Sequence, residues 1–139
     1  MKDFYRQYQN DICSHFSVII EIDGKTCYAY LLKDQRIIGD VWLYNNIDTP
    51  NNVDWYDKSG MPFLNPRAYA IDAPIFIITS PEDVNLKWTF KEYCRLEKVE
   101  IYIKNTLVAV MNENSKPGWS INAKVDGPLA KVLANDRSI

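Results

Sequence analysis

Hydrophobic and polar residues alternate along several short segments, with the two-residue period that is typical of half-buried β-strands. The first such segment, "FSVIIEID", is followed at Asp23-Gly24 by a strong hairpin signal, and the segment "KTCYAYLLK" returns from it. A two-residue loop at Asp23-Gly24 pairs Ile22 with Lys25. The hairpin then has one aliphatic face and one face that carries Tyr28 and Tyr30.

The third strand, "RIIGDVWLYN", has two possible registers against the second. A two-residue turn at Asp34-Gln35 would put Asp40 on the aliphatic face, where an unpaired carboxylate is costly to bury. A three-residue turn, from Asp34 to Arg36, puts Asp40, Trp42 and Tyr44 beside the two tyrosines instead. We therefore expect the three-residue turn.

The chain from Asn45 to Arg67 has three prolines and no sustained periodicity, which predicts a long surface loop with one short helical turn. Loops of this length inside a compact domain are often functional. Beyond it, "PIFIITS" predicts a short buried strand, and "SPEDV" predicts the start of a helix or turn.

The second half of the chain again alternates, and it predicts four more strands. They are "VNLKWTF", the hairpin of "VEIYIK" and "LVAVM" across Asn105-Thr106, and "WSINAKV". The final segment, "DGPLAKVLAND", predicts a short helix with Pro128 at its first position. The pattern predicts a single α+β domain over residues 1–139, with about seven or eight mostly antiparallel strands and a short C-terminal helix.

The composition, with 47% hydrophobic and 13% aromatic residues, is that of a packed globular domain. No apolar run approaches the ~20 residues of a membrane span, and the start of the chain lacks the apolar core of a signal peptide. Three widely spaced cysteines, Cys13, Cys27 and Cys94, fit reduced thiols rather than a disulfide framework. We therefore expect a cytoplasmic protein with no membrane contact.

Charge is divided unevenly along the chain. Residues 1–83 contain 7 Lys and Arg against 12 Asp and Glu, a balance of −5, and residues 84–139 contain 9 against 6, a balance of +3. The two sum to the net charge of −2. Because acidic surfaces repel nucleic acid and attract basic partners, the first half favours a basic protein partner over nucleic acid.

Motifs for catalysis are missing from the sequence. A single histidine, His15, and three scattered cysteines do not make an ordinary zinc site. The five glycines form neither a phosphate-binding loop nor a dinucleotide fingerprint. Glu21 and Asp40 could converge as a carboxylate pair, but any sheet offers such pairs. We expect no enzymatic activity, no cofactor and no metal.

The stretch "GDVWLYNNIDTPNNVDWYD", from Gly39 to Asp57, combines aromatic side chains with aspartates and contains no Lys or Arg. One interpretation is that the aromatic residues cover a second small core and the aspartates form turns. The other is a partner-binding surface, with aromatic anchors and acidic residues that steer a cationic partner. The predicted surface consists of Asp40, Trp42, Tyr44, Asp48, Asp54, Trp55, Tyr56 and Asp57.

Two other functions fit parts of the sequence. Five lysines on predicted polar strand faces, with Trp88 and Tyr102 nearby, are compatible with single-stranded nucleic-acid binding. We interpret them as a solvated sheet face: Lys87, Lys91, Lys98, Lys104 and Lys124. A small-molecule-binding module is the third class, but no convergent polar groups point to it.

Three pieces of the chain are similar to bacterial immunity proteins of contact-dependent growth inhibition and related polymorphic toxin systems. They are "YAYLLKDQRIIGDVWLYNNIDTP", "PFLNPRAY" and "KPGWSINAKVDGPLAKVL", and the resemblance spans residues 16–135. Its most specific parts are "DVWLYN" and "PFLNP", and neither is a catalytic signature.

The resemblance implies a small cytoplasmic protein without enzymatic activity, which binds the toxic C-terminal domain of a cognate toxin. Such a toxin domain is often a nuclease, and the immunity protein blocks its active site or its substrate surface. Nucleases are usually basic because they bind a polyanion. The resemblance assigns no contact residues, so the eight residues of the predicted surface rest on charge and expected exposure alone.

Overall fold

The computed structural model describes residues 3–134, and it is nearly all β, with two sheets of four and five strands. Its helices, within these residues, are two single turns of 3-10 helix at Lys58–Gly60 and Pro81–Asp83. The prediction of an α+β domain with a C-terminal helix is therefore wrong. The strands are β1 (Phe4–Gln9), β2 (Phe16–Ile22), β3 (Thr26–Lys33), β4 (Arg36–Asn45), β5 (Val84–Glu92), β6 (Arg95–Ile103), β7 (Thr106–Met111), β8 (Trp119–Ser120) and β9 (Lys131–Val132).

The first sheet has the order β1-β2-β3-β4, and its central hairpin differs from the prediction by two residues. Ile22 pairs with Cys27 rather than with Lys25. The carboxylate of Asp23 causes this shift, because it accepts hydrogen bonds from the backbone N–H groups of Lys25 and Thr26, at 2.7 and 2.8 Å. A shift of two residues leaves every side chain on its predicted face.

The turn between β3 and β4 is the two-residue turn Asp34-Gln35, so the predicted three-residue turn is wrong. Both residues have positive φ, 53° and 65°, which is the geometry of a type I′ hairpin turn. A bulge between Leu31 and Leu32 then adds the residue that the turn does not supply. Because of that bulge, Tyr30 faces Asp40, which confirms the predicted neighbours.

A second bulge lies farther along the same strand pair, between Cys27 and Tyr28. Tyr28 pairs with Trp42, but Cys27 pairs with Tyr44. Since adjacent residues of a strand point to opposite faces, Trp42 and Tyr44 lie on opposite faces of the sheet. The expectation that Asp40, Trp42 and Tyr44 share one face is therefore wrong at Tyr44.

The second sheet has the order β5-β6-β7-β8-β9 and is antiparallel except for its last pair. The strand predicted at "VNLKWTF" is confirmed as part of β5. The hairpin of β6 and β7 is also confirmed, but it turns at Lys104-Asn105, one residue before the predicted turn. Both turn residues have positive φ, at 50° and 66°.

The segment predicted as a C-terminal helix forms β9 instead, parallel to β8; its last two residues, 135 and 136, lie outside the described part of the chain. The backbone N–H groups of Lys131 and Leu133 donate to Gly118 and Ser120, at 2.8 and 3.1 Å. These non-local bonds replace the bonds within a helix. The strand predicted at "WSINAKV" is reduced to the two residues of β8, followed by turns.

Of the remaining segments, two differ from the prediction and one agrees with it. "PIFIITS" is irregular, with Ile75 and Phe76 exposed and Ile78 buried, so the predicted buried strand is wrong. The predicted start at "SPEDV" is confirmed as the Pro81–Asp83 turn, which Ser80 and Asp83 cap reciprocally. The strand β1 has no counterpart in the prediction.

The two sheets share one hydrophobic cluster, to which both inner faces contribute. On one side the edge of β4 is joined to the second sheet's connections, because Asp40 exchanges backbone hydrogen bonds with Ser115 and Gly118, at 3.0 and 2.7 Å. On the other side a cleft of about 420 Å³ lies between β1 and β5. No helix in the described part of the chain is long and apolar enough to cross a membrane.

A disulfide between Cys13 and Cys94 spans the β1–β5 side, with Cα atoms 5.3 Å apart. Cys13 lies in the β1–β2 connection, and Cys94 lies in the turn between β5 and β6. The expectation of three reduced thiols is wrong for this pair, and only Cys27, which is buried, is free in the structure of residues 3–134. Sequence spacing did not show the pairing because the two residues are 81 positions apart.

Candidate functional site

The outer face of the first sheet, opposite the shared cluster, is acidic and aromatic. We call it the acidic face and define it by Tyr5, Glu21, Tyr30 and Asp40. The register places Tyr5 beside Glu21 and Tyr30 beside Asp40. Tyr5 is exposed and the other three are half-buried. Among the strand residues of β1–β4 on this face there is no Lys or Arg.

The acidic side chains lie close enough to the tyrosines to affect their ionisation. The Tyr30 ring stacks on the Tyr28 ring, with centroids 6.0 Å apart. Burial, followed by the charges of Glu21 and Asp40, raises the pKa of Tyr30 to about 12. Burial also raises the pKa of Asp40, and Lys116 opposes that rise. Tyr30 is therefore a neutral hydrogen-bonding and stacking group at physiological pH.

The outer face of the second sheet has the opposite character. Residues paired across all five strands form one row: Lys87, Glu100, Val110, Trp119 and Lys131. The ammonium group of Lys131 lies 4.8 Å from the Trp119 ring centroid. Trp88, by contrast, packs against the shared cluster, on the face opposite to Lys87. The uneven charge of the sequence thus becomes an acidic sheet face and a lysine-containing sheet face.

The long loop after β4 covers one end of the acidic side of the first sheet. Tyr28 donates its hydroxyl hydrogen bond to the Phe63 carbonyl at 2.6 Å. The buried side chain of Asn45 accepts from the Trp42 indole N–H at 3.0 Å, accepts from the Asn65 backbone N–H at 2.8 Å and donates to the Asn65 carbonyl at 2.8 Å. The second end of the loop, at Phe63 and Asn65, is therefore fixed to the sheet.

Asn45 is a positioning residue that the sequence did not identify. An asparagine at the start of a polar loop reads as an ordinary turn former. Its role depends on Asn65, 20 positions away, so no local pattern could show it.

The tip of the loop presents four residues of the predicted surface. Trp55 is half-buried, and its ring meets the Phe63 ring edge-on, with centroids 5.2 Å apart. Tyr56 is 92% exposed. The carboxylate of Asp54 accepts from the Tyr56 backbone N–H at 3.0 Å. At Asp54 the structure thus fits the alternative interpretation, in which the aspartates form turns.

Asp57 also forms a turn, because it caps the Lys58–Gly60 helix. Its carboxylate accepts from the Ser59 hydroxyl at 2.6 Å and from the Ser59 backbone N–H at 3.1 Å, and these bonds lower the pKa of Asp57. Asp54 and Asp57 are nevertheless exposed, so each keeps a charge in solvent while it shapes the loop.

Trp42 and Tyr44 are core residues, each 1% exposed, so their predicted place on the surface is wrong. Trp42 is covered by the long loop through the Asn45 contacts. The Tyr44 hydroxyl accepts from the Ile78 backbone N–H at 3.2 Å. The other interpretation of the sequence, in which the aromatic residues cover a second core, fits these two side chains.

Asp48 is exposed and lines a separate cleft of about 500 Å³ at the end of β4. Arg67 borders the same cleft, where it pairs with Asp72 at 2.8 Å and donates to the Asn51 side chain at 2.9 Å. The structure thus keeps Asp40, Asp54, Trp55, Tyr56 and Asp57 on the side of the acidic face, and it places Asp48 in the cleft.

The His15 ring lies against the Phe16 ring at a tilt of 38°, with ring centroids 4.5 Å apart. Among residues 3–134, no group of three or more His, Cys, Asp or Glu side chains is placed to hold a metal ion. Comparisons with protein-family models, with curated proteins and with solved structures find no match to this chain.

Proposed function

We propose that this protein is an immunity protein that binds and neutralises the C-terminal domain of a cognate toxin. The observation that supports the proposal best is the acidic face, where Glu21 and Asp40 lie beside Tyr5 and Tyr30 with no basic strand residue among them. A basic domain, such as a nuclease, is the partner that this combination of charge and aromatic surface fits.

The inhibition we propose is electrostatic attraction followed by steric exclusion. Exposed carboxylates of the loop tip, Asp54 and Asp57, raise the local concentration of a cationic partner and speed its approach. Tyr30, Trp55 and Tyr56 then supply contact area with little loss of side-chain entropy. The bound toxin domain cannot admit its polyanionic substrate, because the acidic face occupies the surface that would hold it.

The same proposal gives no catalytic role to any residue. With one histidine and no nucleophile motif, the sequence supports binding alone. We propose that neither nucleic acid nor a membrane is its partner.

An immunity protein acts where its toxin acts, so we place this protein in the cytoplasm. The Cys13–Cys94 disulfide favours an oxidising compartment instead, because the cytosol keeps thiols reduced. Acid quenching of cells, followed by alkylation of free thiols in denaturant, decides between the two, because Cys13 is buried in the folded protein. Modification of Cys13 and Cys94 supports a cytoplasmic location, and protection of both cysteines contradicts it.

We predict that a toxin domain is encoded immediately upstream of this gene, and protection from that domain is the direct test. We expect co-expression of the intact protein to restore growth to cells that make this domain, and the two purified proteins to form a stable complex. A Glu21→Gln/Asp40→Asn variant should protect less well than Glu97→Gln, an exposed acid of the second sheet. An upstream domain that is toxic, yet neither bound nor neutralised, would contradict the proposal.

A further inference from the structure

Three consecutive apolar side chains project from the irregular segment between Asp72 and Ile78. Ile75, Phe76 and Ile77 are 39%, 39% and 37% exposed. We call these three residues the apolar loop. Single exposed apolar residues are ordinary, whereas a contiguous exposed group is a mark of an interaction surface.

Hydrogen bonds to buried side chains hold the backbone of the apolar loop at both ends. The side chain of Asn122, which is 2% exposed, accepts from the Ile75 backbone N–H at 2.9 Å and donates to the Ile75 carbonyl at 3.1 Å. At the other end, the Ile78 backbone N–H donates to the Tyr44 hydroxyl. Two buried polar side chains thus fix a segment whose own three apolar residues are partly exposed.

The backbone of Phe76 is strained. Its φ is 56°, in the left-handed region that an aromatic residue rarely adopts. The other residues with positive φ in the described chain lie in turns and are mostly Asp, Asn, Gln or Lys. Strain of this kind persists where the surroundings impose it, and it clusters at functional sites. Here it keeps a large aromatic ring at the surface.

Clefts lie on both sides of the apolar loop. On one side, Ile77 borders the cleft of about 500 Å³ that also contains Ile47 and Asp48. On the other side, Phe76 borders a cleft of about 430 Å³ with Leu107, Ile121 and Leu133. The loop is therefore a ridge between two partly apolar depressions.

The rim of this surface is acidic. Residues 68–86 contain Asp72, Glu82 and Asp83 and no Lys or Arg. Asp48 adds a fourth carboxylate; Asp48, Asp72 and Glu82 are exposed, and Asp83 is half-buried. Arg67 is paired with Asp72, Lys104 lies near Asp83, and Arg6 lies near Glu82, so the four carboxylates exceed these cations by one. An apolar centre with an acidic rim fits a partner protein that has an apolar pocket or patch surrounded by basic side chains.

We infer that the apolar loop is the anchoring centre of the interface, and that it inserts into an apolar depression on a basic protein. The inference rests on the proposed function in one respect, because it takes that protein to be the toxin domain. The apolar loop borders the cleft that is separate from the acidic face, so the inferred interface has two regions: the acidic face and loop tip govern the rate of association, and the apolar loop governs the rate of dissociation.

The test replaces Phe76 with a residue that keeps the backbone conformation. Phe76→Asn removes the ring, and asparagine tolerates the left-handed region. The control is Tyr93→Asn, which removes an 85%-exposed aromatic side chain from the β5–β6 turn, at the opposite end of β6 from the Lys104-Asn105 turn. Urea midpoints verify that both variants fold, and Ile77→Ser provides a second change in the loop.

The probe is the purified toxin domain encoded immediately upstream, and surface plasmon resonance gives both rate constants. We expect Phe76→Asn to raise the dissociation rate at least about tenfold, with Ile77→Ser in the same direction and Tyr93→Asn unchanged. Tight binding that both loop changes leave intact would overturn the inference and leave the proposed function standing. If the domain does not bind the unmodified protein, the proposed function fails, and this inference fails with it.

Discussion

Replacing Asn45 by alanine should destabilise the protein far more than the same replacement at Asn65. Both asparagines are buried, at 5% and 0% exposure, so the two changes remove the same atoms from similar surroundings. The Asn65 side-chain amide has no hydrogen-bond partner among the described residues, whereas the Asn45 side chain makes four hydrogen bonds. The comparison therefore isolates the hydrogen bonds from the loss of volume.

The magnitude follows from the groups that Asn45→Ala leaves without a partner. These are the Trp42 indole N–H and the backbone N–H and C=O of Asn65. A buried polar group that loses its partner costs about 1–3 kcal/mol, so three such groups cost about 3–9 kcal/mol. That is a large part of the ~5–15 kcal/mol by which a domain of this size is usually stable.

Urea unfolding followed by tryptophan fluorescence and by far-UV circular dichroism gives the two free energies of unfolding. We expect Asn45→Ala to be less stable than Asn65→Ala by about 3 kcal/mol or more. A difference below about 1 kcal/mol, with coincident transitions for both probes, would show that Asn45 does not fix the long loop.

Three other changes probe the core, the disulfide and the acidic face. Trp42→Ala should cost about 3–5 kcal/mol of unfolding free energy and Trp55→Ala clearly less, and equal costs would contradict their different burial. Reduction of Cys13–Cys94 should lower the free energy of unfolding by about 4 kcal/mol, because the bond closes a long loop. As a control, dithiothreitol should not shift the urea midpoint of the Cys13→Ser/Cys94→Ser variant. If dithiothreitol also leaves the midpoint of the unmodified protein unchanged, the disulfide is contradicted. Burial raises the pKa of Asp40, so the ionised carboxylate opposes folding above that pKa. Asp40→Asn should therefore stabilise the protein at pH 7, and the gain in stability should vanish below about pH 4. A variant that is less stable than the unmodified protein at pH 7 would refute this prediction.

The sequence predicted the faces of the strands better than it predicted their turns. The alternating pattern has a period of two, so it is unchanged by the two-residue shift that Asp23 imposes on the first hairpin. The alternating pattern also does not indicate where a bulge occurs. The bulge at Leu31 and Leu32 brought Asp40 beside Tyr30 as expected, and the next bulge turned Tyr44 into the core.

The prediction of a helix for the C-terminal segment was wrong because residues distant in sequence determine its structure. Leu129 and Leu133 have the spacing of a helical stripe, and Pro128 is a good first helical residue. The backbone of the segment is bonded to Gly118, Ser120 and the β4 edge at Trp42 instead. Non-local hydrogen bonds of this kind override local propensity and leave no local signal.

The candidate site was predicted in part for the same reasons. Acidic and aromatic residues close in sequence identified the loop tip and Asp40, which lie at the surface. Trp42 is buried because the loop folds over it, through Asn45 and Asn65. Glu21, Tyr5 and Tyr30 join Asp40 only through strand pairing, so a linear stretch could not include them.

The association rate of this protein with the upstream toxin domain, measured by stopped-flow fluorescence at increasing salt, tests the proposed binding most directly. Exposed charges are screened over about 10 Å at 0.1 M salt and about 3 Å at 1 M. We expect the association rate constant to fall about tenfold or more over this range, and to fall less for Asp54→Asn/Asp57→Asn. An association rate that does not depend on salt would contradict an acidic surface that recruits a basic partner.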